Sequence, residues 1–122
     1  MVDVAKQISE IGQSLWLDYI SRDLLNSGKL DHLVETGVIT GMTSNPSIFE
    51  KAISGSSDYE PDLQKILKSG ELDPYNSFLR LAVDDIRNAC DVLHSVYKRT
   101  DAVDGYVSLE VPPGIEDNVQ ET

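Results

Sequence analysis

Asp18, Thr43, Asn45 and Glu110 each stand late in a short apolar run, and their types suit one kind of chemistry. Two carboxylates can take up and return protons, while a hydroxyl and an amide can hold substrate oxygens, a set fitted to a carbonyl or polyol substrate. The segment Gly41-Met42-Thr43-Ser44-Asn45-Pro46-Ser47 is the most informative stretch, because an apolar run ends there in small polar residues and a proline that opens a helix. A parallel strand ending in Thr and Asn puts hydroxyl and amide groups at its carboxyl end, where α/β sheets bind their ligands.

The surrounding pattern supplies the elements that must position these groups. Residues 3–13 read as a short amphipathic helix with Val4, Ile8 and Ile11 on one side, placed across the end of a barrel. Ser14 to Ile20 reads as a first strand, and Ser21 caps a helix carrying Leu24 and Leu25 that Gly28 closes. Leu30 to Thr36 adds a further helical piece, closed by Gly37. Val38 to Thr43 reads as a second strand, with Asn45 the N-cap of a helix that starts at Pro46 and runs to Ile53. Asp58 to Lys68 is a further helix. From Asp73-Pro74 a long one follows, with Phe78, Ala82, Ile86, Ala89, Leu93 and Val96 recurring every three or four residues up to about Arg99. Tyr106 to Val111 forms a third strand that Pro112 ends, and another helix begins after it. Three strands joined by helical crossovers imply a parallel sheet. A closed (β/α)8 barrel takes about 250 residues, so 122 residues supply roughly half of one, with open strand edges that offer self-association.

Ten Lys plus Arg against 21 Asp plus Glu leave a net charge of −11. That surface repels polyanions and speaks against nucleic acid and anionic membranes as partners. The acidic N-terminal segment lacks the basic start and apolar core of a signal peptide, and a single cysteine forms no internal disulfide, so a cytoplasmic protein is expected. Cys90 reads as a small buried hydrophobe of the long helix. Trp16, Phe49, Phe78 and Tyr106 read as core aromatics, and the acidic residues outside the candidate set read as solvated surface.

Strand parity puts Asp18 on a face with Trp16, Thr43 with Asn45, and Glu110 with Ser108. With those faces turned the same way, the four groups meet at one rim. Each also has a plain structural role open to it. Asn45 serves as a helix cap, Thr43 as an ordinary β-branched strand residue, Asp18 as a cap for the next helix, and Glu110 as an exposed strand end.

Three segments, Leu15-Trp16-Leu17-Asp18-Tyr19-Ile20-Ser21-Arg22, Gly41 to Ile53 around Thr43-Ser44-Asn45-Pro46-Ser47, and Val107-Ser108-Leu109-Glu110-Val111, resemble in order the first three strands of bacterial transaldolases. The Thr-Ser-Asn-Pro-Ser segment is the most specific of them. The resemblance implies a (β/α)8 barrel that transfers a dihydroxyacetone unit between sugar phosphates through a Schiff base on a lysine of the fourth strand, with no cofactor and no metal. It also implies that residues 1–122 are the N-terminal portion of that barrel, ending before the fourth strand. By the same resemblance Asp18 is the acid–base group at the substrate hydroxyl next to the cleaved bond. Glu110 acts through a water during carbinolamine and imine formation, Asn45 holds a hydroxyl of the three-carbon unit, and Thr43 lies near the bound substrate.

The six lysines, Lys6, Lys29, Lys51, Lys65, Lys68 and Lys98, all fall in helices or loops, where nothing lowers an amine pKa as imine formation requires. The imine-forming lysine is therefore expected outside this chain, and the segment alone is expected to be inactive. Arg22 is the one arginine near the rim that could meet a phosphate. His32 and His94 lie in separate helices without ligand spacing. Two rival readings stand beside this one: a fructose-6-phosphate aldolase, against which the long inserted helix counts, and a non-enzymatic acidic α/β module that binds a protein through an apolar edge.

Overall fold

The computed structural model describes residues 2–110 and 118–120. Helix α1 (Val2–Glu10) leads into strand β1 (Trp16–Asp18), followed by α2 (Arg22–Asn26) and α3 (Lys29–Glu35). Strand β2 (Gly41–Ser44) leads to α4 (Pro46–Ser54), α5 (Glu60–Lys68) and α6 (Pro74–Arg99), and β3 (Val107–Leu109) completes the order. The strands are parallel and lie side by side in chain order β1-β2-β3 as an open sheet, an arc of the barrel expected from the sequence.

The caps behave as their residue types require. Ser21 accepts from the Leu24 amide, and Asp73 accepts from Tyr75 at the start of α6. Asn45 accepts from Ser47 and Ile48, with Pro46 at the first helical position of α4. Helix α6 buries Leu81, Ala82, Ala89, Leu93 and Val96 along one stripe, the three-and-four spacing that keeps one helical face on the core. This stripe joins Ile20, Leu30, Met42 and Phe49 in one hydrophobic cluster.

The sheet has two unlike faces. Leu17, Met42 and Val107 are paired in register and face the helices, with Met42 fully buried. The opposite face carries Trp16 beside Gly41 and, one step along, Asp18 beside Thr43 beside Ser108.

Several expectations shift. The strands are shorter than the apolar runs: β1 stops at Asp18 because Ile20 turns into the helix-side core, and β2 starts at Gly41 because the amides of Val38 and Ile39 bond back to Leu33 at the end of α3. Helix α1 ends at Glu10, and it buries Ala5 while Val4 and Ile11 stay largely exposed. Residues 58 and 59 form a turn ahead of α5. Cys90 is exposed, since the buried stripe of α6 runs through its neighbour Ala89 and one residue of helix turns it toward solvent. Trp16 and Tyr106 lie outside the buried helix-side core, since both are substantially exposed in this chain. Phe49 is buried, and it meets Phe78 edge to face at 5.7 Å. Gly105, at φ +92°, turns the chain into β3 where any Cβ would lie 2.4 Å from the Tyr97 amide nitrogen. Val111 and the helix expected after Pro112 fall outside the described residues.

Candidate functional site

Asp18 is the last residue of β1, and its partner across the sheet is Thr43. The Thr43 hydroxyl donates to Asp18 Oδ1 at 2.6 Å. Asp18 is exposed and does not cap the following helix, a role that Ser21 fills. Two of the four sequence candidates are thus joined directly at the carboxyl edge of the sheet.

Asn45 comes two residues after Thr43 in extended conformation. Its Oδ1 is committed to the cap, accepting from Ser47 at 2.9 Å and Ile48 at 3.3 Å. The cap orients the amide and leaves the NH2 as the donor not used by α4. Ser44 is buried on the helix side and donates to the Ser108 carbonyl at 2.9 Å, fastening β2 to β3 just where the site residues emerge.

Glu110 lies one residue beyond β3 and is exposed. With Ser44, Leu109, Phe49 and Phe78 it lines a cavity of about 390 Å³ between the strand ends and the first turns of α4 and α6. Asp18 and Thr43 do not line this cavity, so Glu110 is not grouped with the Asp18–Thr43 pair.

Beneath Asp18, on the same face, the Trp16 indole lies against Gly41, where an added Cβ would come within 2.3 Å of Trp16 Cε2. Trp16 Nε1 donates to Asp104 Oδ1 at 2.8 Å. Asp104 also accepts from Thr40 Oγ1 at 2.7 Å and from the Ser14 hydroxyl. Burial alone would push the Asp104 carboxyl up, but the donors from Ser14, Thr40 and Trp16 outweigh it and hold the carboxyl below the usual carboxylate range.

The arginine expected near a phosphate is otherwise engaged. Arg22 is buried, with Nε 3.0 Å from Asp85 Oδ1, a second nitrogen on Asp62, and its guanidinium 4.3 Å from the centre of the Tyr59 ring. The Tyr59 hydroxyl donates to Asp85 and accepts from the Arg22 amide. Burial pushes the Asp85 carboxyl up, opposed by the hydrogen bonds from Tyr59 and Arg22, and burial raises the Tyr59 phenol as well. Asp85 and Asp104 depart from the solvated surface expected of acids outside the candidate set, since both are buried. Asp85 carried a signal, since it falls on the apolar stripe between Ala82 and Ala89. The Trp16–Gly41 pairing has no local signal, because it depends on a register between strands.

All six lysines lie on helices and are exposed. Among the described residues no group of three or more His, Cys, Asp or Glu could hold a metal ion. No helix among them is long and apolar enough to cross a membrane.

Residues 15–122 match the sequence profile described as Transaldolase/Fructose-6-phosphate aldolase. The chain belongs to this transaldolase family. Within it, the chain is 48% identical over 116 residues to Transaldolase 2 of Nostoc sp. (strain PCC 7120), an overlap covering 95% of this chain and 30% of that protein. Transaldolase of Trichodesmium erythraeum is 42% identical over 118 residues, with 95% and 30% covered. Transaldolase of Thiobacillus denitrificans is 45% identical over 112 residues, with 92% and 31% covered. The chain therefore spans about 30% of the length of the transaldolases it matches. The family is one of (β/α)8 barrels, and the three-stranded parallel sheet is part of such a barrel.

Proposed function

We propose that this chain is the N-terminal part of a transaldolase, contributing strands one to three of a single barrel domain. The whole enzyme would move a dihydroxyacetone unit from sedoheptulose 7-phosphate to glyceraldehyde 3-phosphate in the cytoplasmic pentose phosphate pathway. The observation that carries this reading is the 2.6 Å hydrogen bond between Thr43 and Asp18 at the carboxyl ends of paired strands, inside a chain of this family.

A lysine on a later strand attacks the donor ketone, water leaves the carbinolamine, and the resulting imine accepts the electrons of the breaking carbon–carbon bond. Asp18 removes the proton from the hydroxyl on the carbon beyond that bond, so that an aldehyde leaves. Thr43 orients the Asp18 carboxylate by donating to one oxygen, which leaves the other to meet the substrate. The Asn45 NH2 holds a hydroxyl of the three-carbon unit. Glu110 relays protons through a water to the carbinolamine oxygen, a role that requires its side chain to turn from the helix-side cavity to the inner face as the next strand packs beside β3. The relatives' names favour transaldolase over fructose-6-phosphate aldolase, although the family covers both.

Borohydride trapping with fructose 6-phosphate tests the proposal. The full-length protein should become covalently labelled and residues 1–122 alone should not. Labelling of the isolated segment, or none of the full-length protein, rejects it.

A further inference from the structure

The Trp16 indole occupies a specific place on the inner face of the sheet. Trp16 and Gly41 are register partners, and the ring lies so close over Gly41 that no larger residue fits beneath it. Its Nε1 is tied to Asp104, a buried acid held in turn by Thr40 and Ser14, so the ring is fixed at its edge as well as its face. Asp18 and Thr43 are the next pair along the same face, about 7 Å further toward the carboxyl edge. Trp16 is 37% exposed while its ring packs on Gly41.

In barrels of this class phosphates bind at the carboxyl face, among the loops and helix N-termini. A sugar phosphate held there points its other end, the ketone end, down the barrel toward whatever forms the floor. Resting on the transaldolase reading above, we propose that Trp16, laid over Gly41 and pinned by Asp104, is the floor of the substrate cup. It limits the length of the ketone-side fragment that Asp18 can process, and so acts as a specificity-determining residue. A large ring beside the residue with no side chain is the size complementarity that fills one inner layer of a barrel while leaving the next layer open.

The test uses the full-length protein and two donors: fructose 6-phosphate, and a homologue with an extra methyl on the terminal carbon at the ketone end. Wild-type turnover of fructose 6-phosphate checks the underlying transaldolase reading separately. Given that turnover, Trp16→Ala and Trp16→Phe should raise the kcat/KM ratio of homologue to natural donor by roughly tenfold or more, the scale set by one methylene in an apolar pocket. Gly41→Ala should push the ring into the cup and lower kcat/KM for both donors, with Trp16→Phe restoring the natural donor in the double variant. Should Trp16→Ala fail to fold, Trp16→Phe carries the comparison. A donor ratio unchanged in an active, folded Trp16 variant overturns the proposal, as does a Gly41→Ala defect that Trp16→Phe leaves in place.

Discussion

Thr43 donates its hydroxyl to Asp18 across the paired carboxyl ends of β1 and β2, at 2.6 Å. The two residues are 25 positions apart in the chain, and the parallel register alone brings them together. A hydroxyl on one carboxylate oxygen restricts the rotation of that carboxylate and directs its remaining lone pairs.

Replacing Thr43 by Val keeps the shape and removes the donor. A hydrogen bond to a charged group contributes about 1.5–3 kcal/mol, so kcat of the full-length enzyme should fall roughly tenfold to hundredfold. Steady-state kinetics on fructose 6-phosphate measures it, and an unchanged kcat would show that Asp18 needs no orientation.

Asn45 combines two tasks that substitution can separate. Asn45→Ala removes the α4 cap and should cost about 1 kcal/mol of stability along with activity. Asn45→Asp keeps a capping oxygen and loses the NH2, so urea unfolding should stay near wild type while kcat/KM falls. An unchanged kcat/KM in Asn45→Asp would mean that the cap is the whole role of this residue.

Much of this arrangement was readable before the structure, and for identifiable reasons. Asn45 before Pro46 announces the start of α4 from two adjacent residues, with its end one residue past the expected Ile53, and the α6 stripe repeats its signal over 26 residues, which sets both ends of that helix. The parity of Asp18 and Thr43 follows from strand periodicity. Strand limits were less legible, because Val38, Ile39 and Ile20 are apolar for the sake of loop and helix packing, and apolar character alone does not distinguish that from a strand. The placement of Glu110 and the clusters at Asp104 and Asp85 depend on contacts between residues far apart in the chain. No local pattern encodes those.

The cluster at Asp85 joins α2, α5 and α6 through Arg22, Tyr59 and Asp62. Asp85→Ala leaves the Arg22 charge buried beside a single remaining acid partner. It should destabilise by about 3–5 kcal/mol, read as a lower urea midpoint. A loss below about 1 kcal/mol, the level of an exposed ion pair, would indicate that water reaches this network.

Asp104 should make the fold acid-sensitive. Its carboxyl is held below the usual range in the folded state. The stabilisation is therefore complete above the unfolded-state value near pH 4 and is lost as pH falls through the lower folded-state value. Thermal unfolding of wild type and Asp104→Asn should show a Tm gap at about pH 6 that narrows steadily below about pH 4. A gap independent of pH would contradict that role.

The most direct measurement compares imine trapping with carbon–carbon cleavage in the full-length Asp18→Asn variant. Borohydride labelling with fructose 6-phosphate should remain near wild type while single-turnover release of the aldehyde product slows by roughly a hundredfold or more, the scale of a lost general base. Equal loss of both steps, or cleavage at the wild-type rate, would contradict Asp18 as the base that drives cleavage.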